Sequence, residues 1–283
     1  MEKWQRKQHL LLWLGIKQLR NDTMIHETAI VGHKVKIGKN VQIGPYCIVR
    51  DGAILEDNVQ LISHVVTEGR VTIGEGTKIY PFASLCYPQT LKYNGEDSQI
   101  IIGKNNTIRE YVTIQHGTSE GGMTTSVGDN CLFMVGVHIA HNCKVGNNVI
   151  FANYVSLAGH VEVGDFAILG GLSAVQQFCR IGPHTMVGGV SAVVRDLIPY
   201  GLATSDRAHL EGLNLVGMNR RGFDKIQSLE ATKVLKEIFD DNSEHVFNKR
   251  VELAKEKYAN NKVVQEIIEF IQKDKTRTFC GYK

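Results

Sequence analysis

The residues able to do chemistry gather between positions 127 and 180. Val137-His138-Ile139-Ala140-His141-Asn142-Cys143 carries two histidines three apart, and Leu157-Ala158-Gly159-His160 adds a glycine and a third histidine. Gln115, His116, Gln176 and Gln177 flank them, and Lys92 lies in a polar stretch upstream. An imidazole can take a proton from a hydroxyl, while amide donors, a backbone N–H and a cation can hold the oxyanion that follows. That set suits acyl transfer. His116, His138 and His141 could instead ligate zinc as neutral imidazoles, as in a metal hydratase. The spacing weighs against this, because His138 and His141 fall at different places in a short repeat and should point in different directions. His26, His33, His184, His209 and His245 stand alone, and such histidines read as solvated surface residues.

Whether the site residues meet depends on how the chain winds. From Ile25 the sequence reads in sixes: IHETAI, VGHKVK, IGKNVQ, IGPYCI, VRDGAI, LEDNVQ, LISHVV. An aliphatic residue opens each unit, and a small or β-branched residue usually takes the fifth place. The register weakens at LCYPQT from 85, resumes with IGKNNT at 102, IREYVT at 108 and IQHGTS at 114, and runs from VGDNCL at 127 to VVRDLI at 193. This period is neither a helix stripe nor strand alternation. It marks a parallel β-helix, in which short strands alternate with turns. Frequent Gly and Asn near the turns fit, since both tolerate positive φ. Three units per coil make a triangular prism, with stacked strands ~4.8 Å apart. Units three apart then lie above one another. That puts His116, His141, Gly159 and Gln177 in one column, with Gln115, His138, His160 and Gln176 beside it and the Lys92 stretch one coil below.

Three regions follow: an extension at 1–23, a β-helix at 24–198 with ejected loops at 91–101 and 119–126, and a helical region at 199–283. Helices are expected over 206–221, ending at Gly222, and near 224–240, 243–258 and 262–273. They would cover the strand edges at the open end of the prism. Lys3, Arg6 and Lys7 precede the apolar run Leu10-Leu11-Leu12-Trp13-Leu14-Gly15-Ile16. That run is too short to span a bilayer, so no transmembrane segment is expected. The extension reads as dispensable, with Met24 as an internal start, or else as a short membrane-surface helix.

The chain has 283 residues, 43% hydrophobic and 22% charged, with a formal net charge of +3. This fits a soluble globular protein, and no basic block points to nucleic acid. The six cysteines form no CxxC pair. Cys47, Cys131, Cys143 and Cys179 share the fifth slot of the repeat, as small buried thiols in a reducing cytoplasm would. No metal or other cofactor is expected.

From Met24 onward the chain resembles the UDP-N-acetylglucosamine acyltransferase family of lipid A biosynthesis. The resemblance rests on IHETAIV, IGPYCIV, TKIYPFAS, LKYNGE, IREYVTI, GVHIAHNCKVGN, LAGHVEVGDFAILGGLSAV, QQFCRIG, MVGGVSAV and LNLVGMNRRGF. It implies a left-handed β-helix, an exception to the usual right-handed crossover. It implies a homotrimer with sites between neighbouring prisms, and transfer of a 3-hydroxyacyl chain from acyl carrier protein to the sugar 3-hydroxyl of UDP-N-acetylglucosamine. His141 matches the family's general base, and Gly159 matches its backbone oxyanion donor. Gln89, Lys92, His138, His160, Gln177, Asn214, Arg220 and Arg221 match substrate-contacting positions. Gly189 matches the position that limits acyl length, and a glycine there leaves room for a long chain. The chain departs from the family pattern at Thr90, Gln115, Asn142, Gln176 and Val216. Asn142 removes a carboxylate that could raise the basicity of His141. These departures leave the 3-amino analogue of the sugar as an alternative acceptor, and a non-catalytic nucleotide-sugar-binding scaffold as an alternative role.

Overall fold

An aliphatic residue every six positions can be buried continuously only if the chain turns after each short strand. Leu132–Phe133 pairs with Ile150–Phe151, His138–Ile139 with Ser156–Leu157, and Lys144–Val145 with Glu162–Val163, all parallel. One coil therefore takes three hexads. Among the described residues the strands stack into sheets of twelve, eight and nine, the three faces of a left-handed parallel β-helix. The computed structural model describes residues 16–18, 22–240, 242–273 and 277–282. Ile43, Leu61, Ile79, Ile108, Phe133 and Phe151 line one inner wall and are fully buried. The small fifth-slot residues, among them Val41, Cys47, Ala53 and Cys143, fill the inner corners. All six cysteines are free. Burial pushes the Cys143 and Cys179 thiols up to about 12 and Cys131 to about 11, so these act as packing residues rather than nucleophiles.

Most corners bend through a residue in the left-handed region. φ is +57° at Asn148, +60° at Phe166, +61° at Asn142 and His160, and +66° at Phe178. Asn tolerates this conformation, whereas other L-residues are disfavoured by about 1–2 kcal/mol. Stacking offsets that cost. The corner N–H donates to the coil before it, as His160 does to His141 O at 3.0 Å. Rings also pile up along the edges: Tyr46, His64, Phe82 and Tyr111 follow one another at 4.8 to 5.1 Å. The prism thus has three distinct edges. Asn148, Phe166, His184 and Tyr200 lie on the first. Tyr154, Leu172 and Val190 lie on the second, and Asn142, His160 and Phe178 on the third. His184 is not the solvated residue expected of it. Its ring stacks between Phe166 and Tyr200 at 4.8 and 5.2 Å, and desolvation pulls its pKa down to about 4.

Both ejected loops begin and end three or four residues earlier than the break in register implies. Gln99–Ile102 pairs with Arg70–Ile73, and Thr124–Val127 pairs with Gln99–Ile102. The loops therefore occupy 87–98 and 116–123. Polar outward positions such as Gln99 and Ser126 hid these longer strands. Ile16–Gln18 adds an antiparallel strand to Met24–His26, while residues 1–15, with most of the expected surface helix, lie outside the described residues. Among the described residues no helix is long and apolar enough to cross a membrane.

The expected helix over 206–221 is mostly a hairpin. Gly201–Thr204 continues the sheet beyond Met186–Val187, and His209–Leu213 pairs back on it antiparallel. Gly212, at φ +141°, cannot join a right-handed helix. Only Leu215–Arg220 is helical, with Asn214 as its cap and Gly222, at φ +78°, as its stop. Lys225–Ile238, Phe247–Lys257 and Lys262–Gln272 follow as expected. The last helix is tied to the last coil through Arg180. Its Nε donates to Asp196 Oδ2 at 2.8 Å, and its guanidinium lies 4.4 Å over the Phe270 ring. Asp196 is fully buried. Arg180→Met keeps the stem but leaves that carboxylate without its cation. In urea denaturation it should lower the unfolding free energy by about 3–5 kcal/mol. A change of less than ~1 kcal/mol, the range of an exposed pair, would show that this contact does not hold the seam.

Candidate active site

The column expected from the repeat stands on the third edge. Ile139 pairs with Leu157, and Leu157 with Val175. His141, Gly159 and Gln177, each two residues further on, therefore stack at successive corners.

His141 Nδ1 lies 2.9 Å from Asn142 Oδ1. The backbone of Thr118 decides which amide atom faces the ring. Its N–H, 3.1 Å from Asn142 Oδ1, can only donate, and its carbonyl, which receives Asn142 Nδ2 at 3.2 Å, can only accept. The Thr118 hydroxyl donates to the same oxygen at 2.7 Å, and the Asn142 N–H donates to Thr125 Oγ1 at 2.8 Å. Thr118, Thr125 and Asn142 are all buried. With the oxygen so fixed, a neutral His141 carries its proton on Nδ1 and leaves Nε2 bare.

Nε2 faces Gly159. A Cβ built on Gly159 would come within 2.7 Å of His141 Nε2 and 2.6 Å of Cε1. Space, rather than backbone conformation, therefore demands glycine here. Among the described residues no acceptor takes the Gly159 N–H. Gly121 does the same for the neighbouring groups, since a Cβ there would meet Asn142 Nδ2 at 2.4 Å and His160 Cε1 at 2.7 Å. His160 lies edge-on to His141 at 5.2 Å and stacks on Phe178 at 4.6 Å. Its burial, then the nearby His141, lower its pKa, and Glu120 acts the other way. His138 stands on the adjoining face with Nδ1 2.7 Å from Thr113 Oγ1. Burial and then His141 lower its pKa as well. A bare imidazole nitrogen, flanked by imidazoles biased toward neutrality and a free N–H, can accept a proton and stabilise a neighbouring oxyanion.

The two loops meet over this edge. Lys92 Nζ reaches Glu120 Oε1 at 2.9 Å, and Ser119 Oγ donates to Glu96 Oε1 at 3.3 Å. Lys92 holds the Glu120 carboxyl below the usual range, and His160 and His141 add to this. Gln89 is exposed on the same loop as Lys92. Glu120, Thr118 and Thr125 were not singled out from the sequence. The one available signal was a lone acid in the polar stretch Ser119-Glu120-Gly121-Gly122.

Other residues do not join. His116 sits in the column by register but is turned away. It is fully buried, with Nε2 2.7 Å from Glu68 O and Nδ1 3.0 Å from Ser98 O. The three-histidine arrangement with His138 and His141 therefore does not form. Gly189 is on the second edge, open to solvent beside Leu172 and Val190. Asn214, Arg220 and Arg221 are on the first edge. Asn214 accepts from Gly217 N at 3.0 Å and donates to His184 O at 3.1 Å, while Arg221 donates to Phe166 O at 3.2 Å. Arg220 is exposed. The residues singled out from the sequence thus fall on three edges of one chain.

The chain is similar to known proteins over nearly its whole length. The family described as Udp N-acetylglucosamine O-acyltransferase, Domain 2, matches residues 196–280, and the bacterial transferase hexapeptide family matches 18–51 and 124–159. The acyl-[acyl-carrier-protein]--UDP-N-acetylglucosamine O-acyltransferase of Rickettsia canadensis (strain McKiel) is 63% identical over 264 residues, covering 93% of this chain and 99% of the relative. The protein of the same name from Rickettsia prowazekii (strain Madrid E) is also 63% identical, with the same coverage. Among solved structures, the UDP-N-acetylglucosamine acyltransferase of Francisella novicida superposes with a TM-score of 0.87 at 34% identity, covering 92% of this chain and 94% of that one. The enzyme from Campylobacter jejuni gives 0.85 at 35% identity, covering 92% and 100%. With similarity of this degree over nearly the whole of both chains, the chain belongs to the UDP-N-acetylglucosamine O-acyltransferase family.

Proposed function

We propose that the protein transfers a 3-hydroxyacyl chain from acyl carrier protein to the 3-hydroxyl of UDP-N-acetylglucosamine, the first step of lipid A biosynthesis. The observation that carries the mechanism is the bare His141 Nε2, fixed by Asn142 and facing Gly159. His141 takes the proton of the sugar 3-hydroxyl as its oxygen attacks the thioester carbon. The oxyanion of the tetrahedral intermediate accepts the Gly159 N–H. As the intermediate collapses, the C–S bond breaks and the His141 imidazolium returns its proton to the departing thiolate of the carrier. Lys92, Gln89, His138, His160 and Gln177 line the same edge and its adjoining face, where they serve as substrate contacts.

The reading places the site between copies of a homotrimer. It is supported by the division of the predicted contacts among three edges, because parallel prisms packed side by side bring different edges together. The second edge also exposes Tyr46, Phe82, Tyr111, Tyr154, Leu172 and Val190, an apolar line that a monomer would leave in water. In such an assembly Asn214, Arg220 and Arg221 would approach the diphosphate or the acidic carrier, since guanidinium groups recognise phosphate and carboxylate well. Gly189 would leave the acyl groove open for a long chain. The free cysteines fit a cytoplasmic protein. Asn142 orients His141 without lending it charge, which would favour a 3-amino acceptor, the better nucleophile. Parallel assays with UDP-N-acetylglucosamine and its 3-amino analogue, using defined 3-hydroxyacyl carrier proteins, discriminate the two. Binding of either nucleotide sugar without turnover would instead support a scaffold.

His141→Ala should lower kcat by at least ~100-fold with little change in KM, and near-normal turnover would remove His141 from the base role. Asn142→Asp places a carboxylate at the imidazole, favouring its charged form. Because the base must be neutral, the acid limb of the kcat/KM profile should move to higher pH by about one unit. An unmoved limb would show that His141 does not set it. Refolding His141→Ala and Arg221→Ala chains together should recover activity that neither assembly has alone. A mixture no more active than its components would count against sites built from two copies.

A further inference from the structure

The 87–98 loop is rooted at one residue that the mechanism leaves unused. His116 touches the coil beneath the loop through Glu68 O at 2.7 Å, and the re-entry of the loop through Ser98 O at 3.0 Å. Where the loop leaves the prism, Tyr87 packs against the His116 ring at 5.2 Å, and Tyr87 in turn stacks on Tyr93 within the loop at 5.6 Å. Both ends of the loop therefore meet on a single buried imidazole. Gly69 makes room for it, since a Cβ there would come within 3.0 Å of both His116 Cε1 and the Tyr87 hydroxyl.

A neutral imidazole has one N–H to give. The shorter contact assigns it to Nε2, donating to Glu68 O; Nδ1 then has no proton for the Ser98 carbonyl, which it meets only in packing, and the Ser98 hydroxyl, 3.5 Å away, faces it as the donor. Burial, which lowers the His116 pKa, supports the neutral form. The other charged ties of the loop, Lys92 to Glu120 and Arg70 to Asp97, are exposed on both partners, and such pairs contribute little.

We propose that His116 is a positioning residue, a buried latch that holds the 87–98 loop so that Gln89 and Lys92 stand over the His141 column and set substrate affinity. The kinetic half of this proposal rests on the reading of Gln89 and Lys92 as substrate contacts. The structural half does not.

The test pairs hydrogen–deuterium exchange with steady-state kinetics on the full-length protein. His116→Phe keeps a ring for Tyr87 and removes both polar contacts. Exchange across 87–98 should quicken about tenfold while 138–145 is unchanged, and KM for UDP-N-acetylglucosamine should rise about tenfold with kcat within about threefold of wild type. His116→Gln, which restores one donor, should recover part of both. Unchanged exchange overturns the latch. Faster exchange with unchanged KM, or a loss confined to kcat, overturns the positioning role. If the phenylalanine variant does not fold, Tyr87→Leu disrupts the same root from its exposed side and is read by the same two measurements. Exchange is followed without substrate, so an inactive wild-type protein would refute acyl transfer and leave the latch to be judged on exchange alone.

Discussion

One amide oxygen organises the site. Asn142 Oδ1 receives the Thr118 N–H, the Thr118 hydroxyl and, on the remaining side, His141 Nδ1. The first two bonds are buried, and rotating the amide would set an NH2 group against a backbone donor and an oxygen against a carbonyl. Each mismatch would strand a buried polar group. The imidazole therefore meets a fixed acceptor, and its proton has one place to go. A carboxylate would add charge, but its second oxygen would face the Thr118 carbonyl to which the Asn142 amide now donates. Asparagine supplies the geometry alone.

That clamp depends on the coil. Asn142 occupies a corner position at φ +61°, which asparagine tolerates better than most residues. Its N–H reaches Thr125 on the coil below, and His141 looks up at Gly159 on the coil above. The base is thus set by three successive turns of the prism, and neither loop could position it alone. The 116–123 loop lends the clamp Thr118, and the ion pair of Lys92 with Glu120 joins the two loops over the edge. In the proposed reaction the three edges divide the labour, with proton transfer on the third, room for the acyl chain on the second and arginines on the first. A single prism keeps these edges apart, which is why the proposed function places the site between copies of the chain.

Much of this was legible in the residues. The hexad period states the coil, and the coil states that His141, Gly159 and Gln177 stack, because stacking needs only register. What register leaves open is the direction of a side chain. His116 has the right height in the column but turns into the root of the loop, where the Glu68 carbonyl takes its N–H and Tyr87 packs on its ring. Asn142 reads in the sequence as a missing carboxylate. Its orienting role became visible only with the Thr118 backbone beside it, far away along the chain. The apolar spacing of Leu210, Leu213, Leu215 and Met218 mimics a helix, yet Gly212 and the open sheet edge at Met186–Val187 make the first part a hairpin. Local pattern lost there to a long-range partner.

The central claim is the proton on His141 Nδ1. Neutron diffraction from deuterium-exchanged crystals, grown at a pH where the imidazole is neutral, would observe it directly. The account predicts nuclear density for deuterium on Nδ1, pointing at Asn142 Oδ1, and none on Nε2. Deuterium on Nε2, with the Asn142 amide turned so that its nitrogen faces the ring, would contradict it.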